Sequence, residues 1–101
     1  MSEVTVKKAA IKSLSQKQKS VTVKFKKITG AEGYQIQYST TNGFTPKTTK
    51  STTVKGNKTF TKELTKLKKK TYYIRIRAYK TDSTKAKVYG KWSTAKKIKV
   101  K

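Results

Sequence analysis

The chain has 101 residues, 33% of them hydrophobic, which suits a single domain with one modest core. It contains no cysteine and no histidine, so disulfides, thiol chemistry and the usual zinc ligand sets are excluded. Against 27 basic residues stand four acids, Glu3, Glu32, Glu63 and Asp82, giving a net charge of +23 that attracts polyanions and repels other copies of the chain.

The stretch from Met1 to Lys7 lacks the apolar centre of a signal peptide. The expectation is either a protein that stays inside the cell or one module of a longer secreted chain. No apolar run approaches the ~20 residues of a membrane-spanning helix. Beyond this point hydrophobic side chains recur with period two, the signature of strands with one buried and one wet face. A first strand is predicted over Ala9–Leu14 and a second over Ser20–Lys26. In the second, Val21, Val23 and Phe25 alternate with Thr22, Lys24 and Lys26. After the turn residues Gly30-Ala31-Glu32-Gly33, a third strand over Tyr34–Thr40 turns Tyr34, Ile36 and Tyr38 inward and Gln35, Gln37 and Ser39 outward. Thr41-Asn42-Gly43 separates it from a fourth strand over Lys47–Val54.

Lys55-Gly56-Asn57-Lys58 reads as a hairpin turn, because Gly and Asn tolerate positive φ. The fifth strand, over Thr59–Leu64, points Lys62 inward between Phe60 and Leu64. Either that end lies at a sheet rim, where a lysine can reach water, or the register is shifted. Thr65–Lys70 carries no helical apolar stripe and reads as a connection with Leu67 tucked beneath it. The sixth strand, over Thr71–Lys80, sends Tyr72, Ile74, Ile76 and Ala78 inward and Tyr73, Arg75, Arg77 and Tyr79 outward. A polar loop from Thr81 to Lys87 leads to a seventh strand over Val88–Val100. It is predicted to be interrupted near Trp92 and to keep pairing to its end, with Ile98 in the core. Short strands at this spacing point to one all-β sandwich domain spanning residues 1–101.

Several stretches, in this order, resemble a fibronectin type III domain of the Lys-rich kind found in surface proteins of Gram-positive bacteria. They are Ser20-Val21-Thr22-Val23-Lys24-Phe25, Gly33 through Thr40, Leu64 with Leu67, Tyr72 through Tyr79, and Tyr89-Gly90-Lys91-Trp92-Ser93. The resemblance covers residues 9–100 and implies a seven-stranded, immunoglobulin-like β-sandwich with Greek-key connections. The sequence departs from the family's pattern in two places. Phe25 stands where the family usually has a core Trp. The connection from Leu67 to Tyr72 is about one residue shorter than usual and lacks its common Pro or Gly. By strand period Tyr72 rather than Tyr73 takes the buried corner position, its hydroxyl bonded to the connection's backbone. The Arg-Gly-Asp tripeptide of integrin-binding members is absent from Thr81–Lys87, so integrin adhesion is not expected.

General acid–base catalysis needs His or paired carboxylates with tuned pKa. This chain has no His and four scattered acids, so no catalytic, cofactor or metal site is expected. The candidate functional residues are instead Tyr73, Arg75, Arg77, Tyr79 and Trp92. Arginine occurs nowhere else in a chain with 25 lysines, and the strand bearing Trp92 should lie beside Arg75 and Arg77. A cation–π ladder of Trp92 with Arg75 or Arg77 follows, resembling the Arg–Trp stacking of cytokine-receptor modules of this fold. The same residues could alternatively offer a platform for a sugar or a base.

Lysine in place of arginine makes a general charge coat rather than a reading surface, since bidentate phosphate and base contacts need the guanidinium fork. The expected function is thus a monomeric, non-catalytic spacer or adhesion module of a bacterial extracellular or cell-surface protein. Its partners would be neighbouring domains of a longer chain and anionic cell-wall polymer or polysaccharide, with no dedicated nucleic acid. The alternatives are a carbohydrate- or ligand-binding module using the outward aromatic face or the loops, an engineered scaffold, and a nucleic-acid binder.

Overall fold

Strands with one apolar face must cover that face, and two sheets can cover each other. The computed structural model, which describes residues 6–56 and 61–101, meets this requirement with eight strands among the described residues. They are β1 (Ile11–Lys17), β2 (Ser20–Phe25), β3 (Gly33–Ser39), β4 (Thr49–Lys55), β5 (Thr61–Leu64), β6 (Thr71–Thr81), β7 (Lys87–Tyr89) and β8 (Lys96–Lys99). One sheet has the order β1-β2-β5. The other runs β4-β3-β6-β7, with β8 also on β6. All pairings are antiparallel.

β7 pairs with Tyr79–Thr81 and β8 with Thr71–Ile74, successive parts of β6. They are two halves of one interrupted strand, so the eight elements amount to a seven-stranded sandwich. The chain crosses from β2 to β3, returns to β5 beside β2, then crosses again to β6 beside β3. Those crossings make the Greek key.

The core forms where the inner faces meet. Val21, Val23, Tyr34, Ile36, Ile74, Ile76 and Ala78 are fully buried, with Phe25, Leu64, Leu67 and Tyr72 nearly so. Phe25 and Tyr34 fill the centre together, their ring centroids 4.7 Å apart. The backbone N–H of Ile28 donates to the Tyr34 hydroxyl at 2.7 Å, which satisfies the one polar atom this ring carries inward. Leu67 closes the base of the β5–β6 connection. The N–H of Lys68 donates to the Tyr72 hydroxyl at 3.0 Å, so Tyr72 occupies the corner.

Several expectations are corrected. The first strand begins at Ile11 and runs to Lys17, because its pairing with β2 extends from Ile11 opposite Phe25 to Lys17 opposite Ser20, and a register shift between Ile11 and Ser13 breaks the simple alternation. Tyr38 and Ile98, expected in the core, are half-buried and pack against its margin, since both lie near strand ends. Val100 is buried instead, as are Val54, Ala9, Ile11 and Ala31. Lys62 pairs opposite the buried Val23 on β5, an edge strand, and is half-buried, which is the rim arrangement. Of the expected turn at Lys55-Gly56-Asn57-Lys58, Gly56 has the positive φ (85°) that the turn requires, while Asn57 and Lys58 lie outside the described residues, as do Phe60 and the start of the expected fifth strand.

Two carboxylates act as loop clamps. Glu32, in the β2–β3 turn, accepts hydrogen bonds from the N–H and hydroxyl of Thr81 at the end of β6. Asp82 folds the β6–β7 loop by accepting from Thr84 N–H at 2.8 Å, Thr84 Oγ1 at 2.6 Å and Ala86 N–H at 3.1 Å. Hydrogen bonds from Thr81, side chain first and then backbone, hold Glu32 below its ordinary value of 4.5. The Thr84 hydroxyl, then the Ala86 and Thr84 amides, hold Asp82 below 3.8. A carboxylate with a lowered folded-state value contributes stability that is fully present above its ordinary value and is lost as pH falls through the lowered one. Thermal melts between about pH 5 and pH 2 should therefore show falling stability, and Glu32→Gln with Asp82→Asn should flatten that fall. An unchanged acid sensitivity in the double variant would contradict the clamp assignment.

Candidate functional site

The outward face of the larger sheet is set by the β3–β6 register. Gln37 stands opposite Arg75, Gln35 opposite Arg77 and Gly33 opposite Tyr79. The break between β7 and β8 delivers the Trp. Here the ladder is replaced by individual bonds, Gly90 N–H to Ala78 O at 2.9 Å and Ser93 N–H to Ile76 O at 2.8 Å. Ser93 is buried, and its Oγ accepts from the Ile76 N–H at 2.9 Å in place of a backbone carbonyl. With Ser93 held inward, strand alternation turns its neighbour Trp92 outward over β6.

There the side chains join in one stack. The Arg75 guanidinium carbon lies 4.1 Å from the centroid of Phe44 and 4.3 Å from that of Trp92. That of Arg77 lies 4.2 Å from Trp92 and 3.8 Å from Tyr89. Tyr89 meets Tyr79 edge to face with centroids 6.0 Å apart, and Lys87 Nζ lies 4.9 Å from the Tyr79 ring. Two glutamines fix the guanidiniums from β3. Arg75 donates through Nε at 2.9 Å and Nη2 at 2.6 Å to Gln37 Oε1, and Arg77 Nε donates to Gln35 Oε1 at 2.7 Å. Burial lowers both arginines from their ordinary values. For Arg75 the Arg77 charge adds to the effect, and for Arg77 the nearby Tyr89 opposes it.

Arg75, Arg77, Tyr79 and Trp92 are thus brought into one cluster. Tyr73 lies on the same face, opposite Ser39 and Lys97, and takes no part in the stack among the described residues. Tyr79 is outward, as its position in the alternation requires, but it is buried rather than exposed. The cause is Gly33: a Cβ there would lie 2.6 Å from Tyr79 Cε2 and nearer still to Cζ and the hydroxyl, so the ring occupies the place of the missing side chain.

Sequence reasoning missed four contributors, Phe44, Gln35, Gln37 and Tyr89. Phe44 follows Thr41-Asn42-Gly43 in the stretch between the third and fourth expected strands, and the alternation assigns it no role. It adopts φ 50°, a left-handed conformation costly for a bulky residue, while the hydroxyls of Ser39, Thr41, Thr45 and Thr48 bond one another around its loop. A lone aromatic in a turn-rich stretch was the available signal. Gln35 and Gln37 were placed outward but given no partner, although antiparallel pairing of the third and sixth strands puts them across from the arginines. Tyr89 entered only as part of the resemblance.

No protein-family model and no curated protein sequence matches the chain. Solved structures do. The FN1–FN3 domains of chicken CNTN1 superpose with a TM-score of 0.75 at 20% identity, over 94% of this chain and 30% of that one. The sixth fibronectin type III domain of human fibronectin type III domain containing protein 3 gives 0.65 at 11% identity, over 99% and 90%. The fold is that of a fibronectin type III domain. At these identities the likeness concerns the fold, and function has to be argued from the site.

A lysine has neither the planar stacking face nor the fork that reaches Gln37. Replacing Arg75 and Arg77 together by Lys should cost about 1–2 kcal/mol. In a domain of this size that lowers Tm by about 4–16 °C. A melting temperature unmoved by the double change would remove the ladder from any structural role.

Proposed function

We propose that this fibronectin type III fold serves as a non-catalytic structural and interaction module, a spacer or adhesion domain of a bacterial extracellular or cell-surface protein. It acts as a monomer within a longer chain and has charge-driven affinity for anionic envelope polymers. The observation that carries this reading is the state of the outward face. Trp92 is contacted by both guanidiniums, and both are hydrogen-bonded to glutamines, so a ligand would have to break the stack to reach the indole. Among the described residues no group of His, Cys, Asp and Glu could hold a metal ion, and no helix is long and apolar enough to cross a membrane. This chain spans 30% of the CNTN1 structure, which contains FN1–FN3 domains, and a place beside neighbouring domains fits that likeness.

The lysine coat supports the polyanion component. Lysines project from exposed positions on β1, β2, β4, β7 and β8, where they also discourage edge-to-edge pairing. One observation favours a second reading, a carbohydrate-binding face: Tyr89, which stacks on Arg77, is 37% exposed. Titration with heparin and with a panel of neutral glycans, at several salt concentrations, separates the two. The spacer reading predicts heparin binding that weakens about tenfold or more between roughly 0.05 and 0.2 M salt, and no neutral-glycan binding. Salt-insensitive binding of a neutral glycan would overturn it in favour of a recognition face.

A further inference from the structure

The charge coat is not uniform. Because β1 lies against β8, β5 falls on the side of β4. The end of β3, the start of β4 and the β5–β6 connection enclose a cleft of about 450 Å³, within the size range of small-ligand sites. Its walls carry Lys47, Lys50, Lys66, Lys68 and Lys70, and no carboxylate is among the residues lining it. The Tyr38 ring forms part of the lining, half-buried, with its centroid 6.4 Å from that of Tyr72.

We propose that this cleft is a binding site for an acidic sugar, whose ring packs on Tyr38 and whose carboxylate or phosphate is held by the surrounding lysines. The proposal rests on the polyanion reading above and gives that reading a place. The cleft differs from the flat lysine rows of the strands in being built. The connection that bears Lys66, Lys68 and Lys70 is tied down at three points: Lys68 N–H to the Tyr72 hydroxyl at 3.0 Å, Leu67 N–H to Lys19 O at 3.0 Å, and Val100 N–H to Lys70 O at 2.9 Å. The opposite wall is the paired start of β4, where Lys50 stands across from Tyr38. Lysines from the approach to and start of β4 and from the β5–β6 connection thus rise from fixed backbone around one concavity without a counter-charge in its lining, and an anion entering it relieves their mutual repulsion. A bare inorganic anion would satisfy the lysines but leave the Tyr38 ring in water. A sugar ring covers that apolar face, which is why the site favours an acidic sugar over phosphate alone.

The test is an amide NMR titration of the whole chain with a uronic-acid trisaccharide, a neutral trisaccharide and inorganic phosphate. The expected result is saturable, single-site shifts at Tyr38, Lys50, Leu67 and Lys68 with the uronate, weaker binding of phosphate at the same amides, and none of the neutral sugar. Lys47→Gln, Lys50→Gln, Lys68→Gln and Lys70→Gln together should weaken uronate binding about tenfold or more. The same number of changes at Lys12, Lys24, Lys26 and Lys27, which line a second concavity at the Phe25 end of β2, should weaken it less than about threefold. Equal losses in the two variants, or shifts spread over the lysine rows, would overturn the cleft while leaving the charge coat standing. Phosphate binding as tight as the uronate would overturn the sugar assignment. If the unmodified chain bound neither the uronate nor heparin, the coat reading would fall with the cleft.

Discussion

The antiparallel pairing of β3 with β6 is the constraint on which the rest of the molecule depends. Its register places Tyr34 beside Ala78, Ile36 beside Ile76 and Tyr38 beside Ile74 on one face, and Gln35 beside Arg77 and Gln37 beside Arg75 on the other. A slip of one residue would exchange the faces, putting arginine into the core and isoleucine into water. The same two strands thus build the hydrophobic centre and the polar brace behind it. The interrupted partner strand adds to both: Ser93 is bonded to the buried N–H of Ile76, while Trp92 packs on the arginines.

The distribution of charged residues follows from what each side chain can do. The arginines sit where a planar, half-buried cation must stack on rings and donate sideways to an amide. Most described lysines occupy exposed positions, those of the cleft rim included, and Lys62 and Lys80 are half-buried; in each case a flexible stem can keep the ammonium in water. Of the described acidic side chains, Glu32 and Asp82 serve loops rather than neutralising the coat, since their oxygens accept backbone and hydroxyl hydrogen bonds in the β2–β3 turn and the β6–β7 loop. The high net charge is therefore carried on the outside of a sandwich whose core and stack are locally satisfied.

The fold was legible because alternation is strongest where burial is deepest. Val21, Val23 and Phe25, then Ile74, Ile76 and Ala78, state their facing without ambiguity, and the Trp92 and Arg pairing could be anticipated from arginine being confined to one strand. The remainder depended on contacts that strand period does not encode. Tyr79 is outward yet buried because a glycine across the sheet leaves room for its ring. Phe44 reaches Arg75 through an unusual backbone conformation in a threonine-bonded loop. Tyr38 follows the inward alternation but sits near the end of β3, so it lines a cleft instead of filling the core. In each case the sequence specifies a direction, and the tertiary surroundings decide what lies in that direction.

The central claim is that Trp92 and the arginines act together to brace the sandwich. The most direct test is a double-mutant cycle on Trp92→Ala and Arg77→Met, read by denaturant unfolding. A shared stack predicts that the two changes are less costly together than their separate costs imply, with a coupling of about 0.5–2 kcal/mol. Costs that add to within about 0.3–0.5 kcal/mol would show that the residues are neighbours without a common energetic role, and would contradict the account.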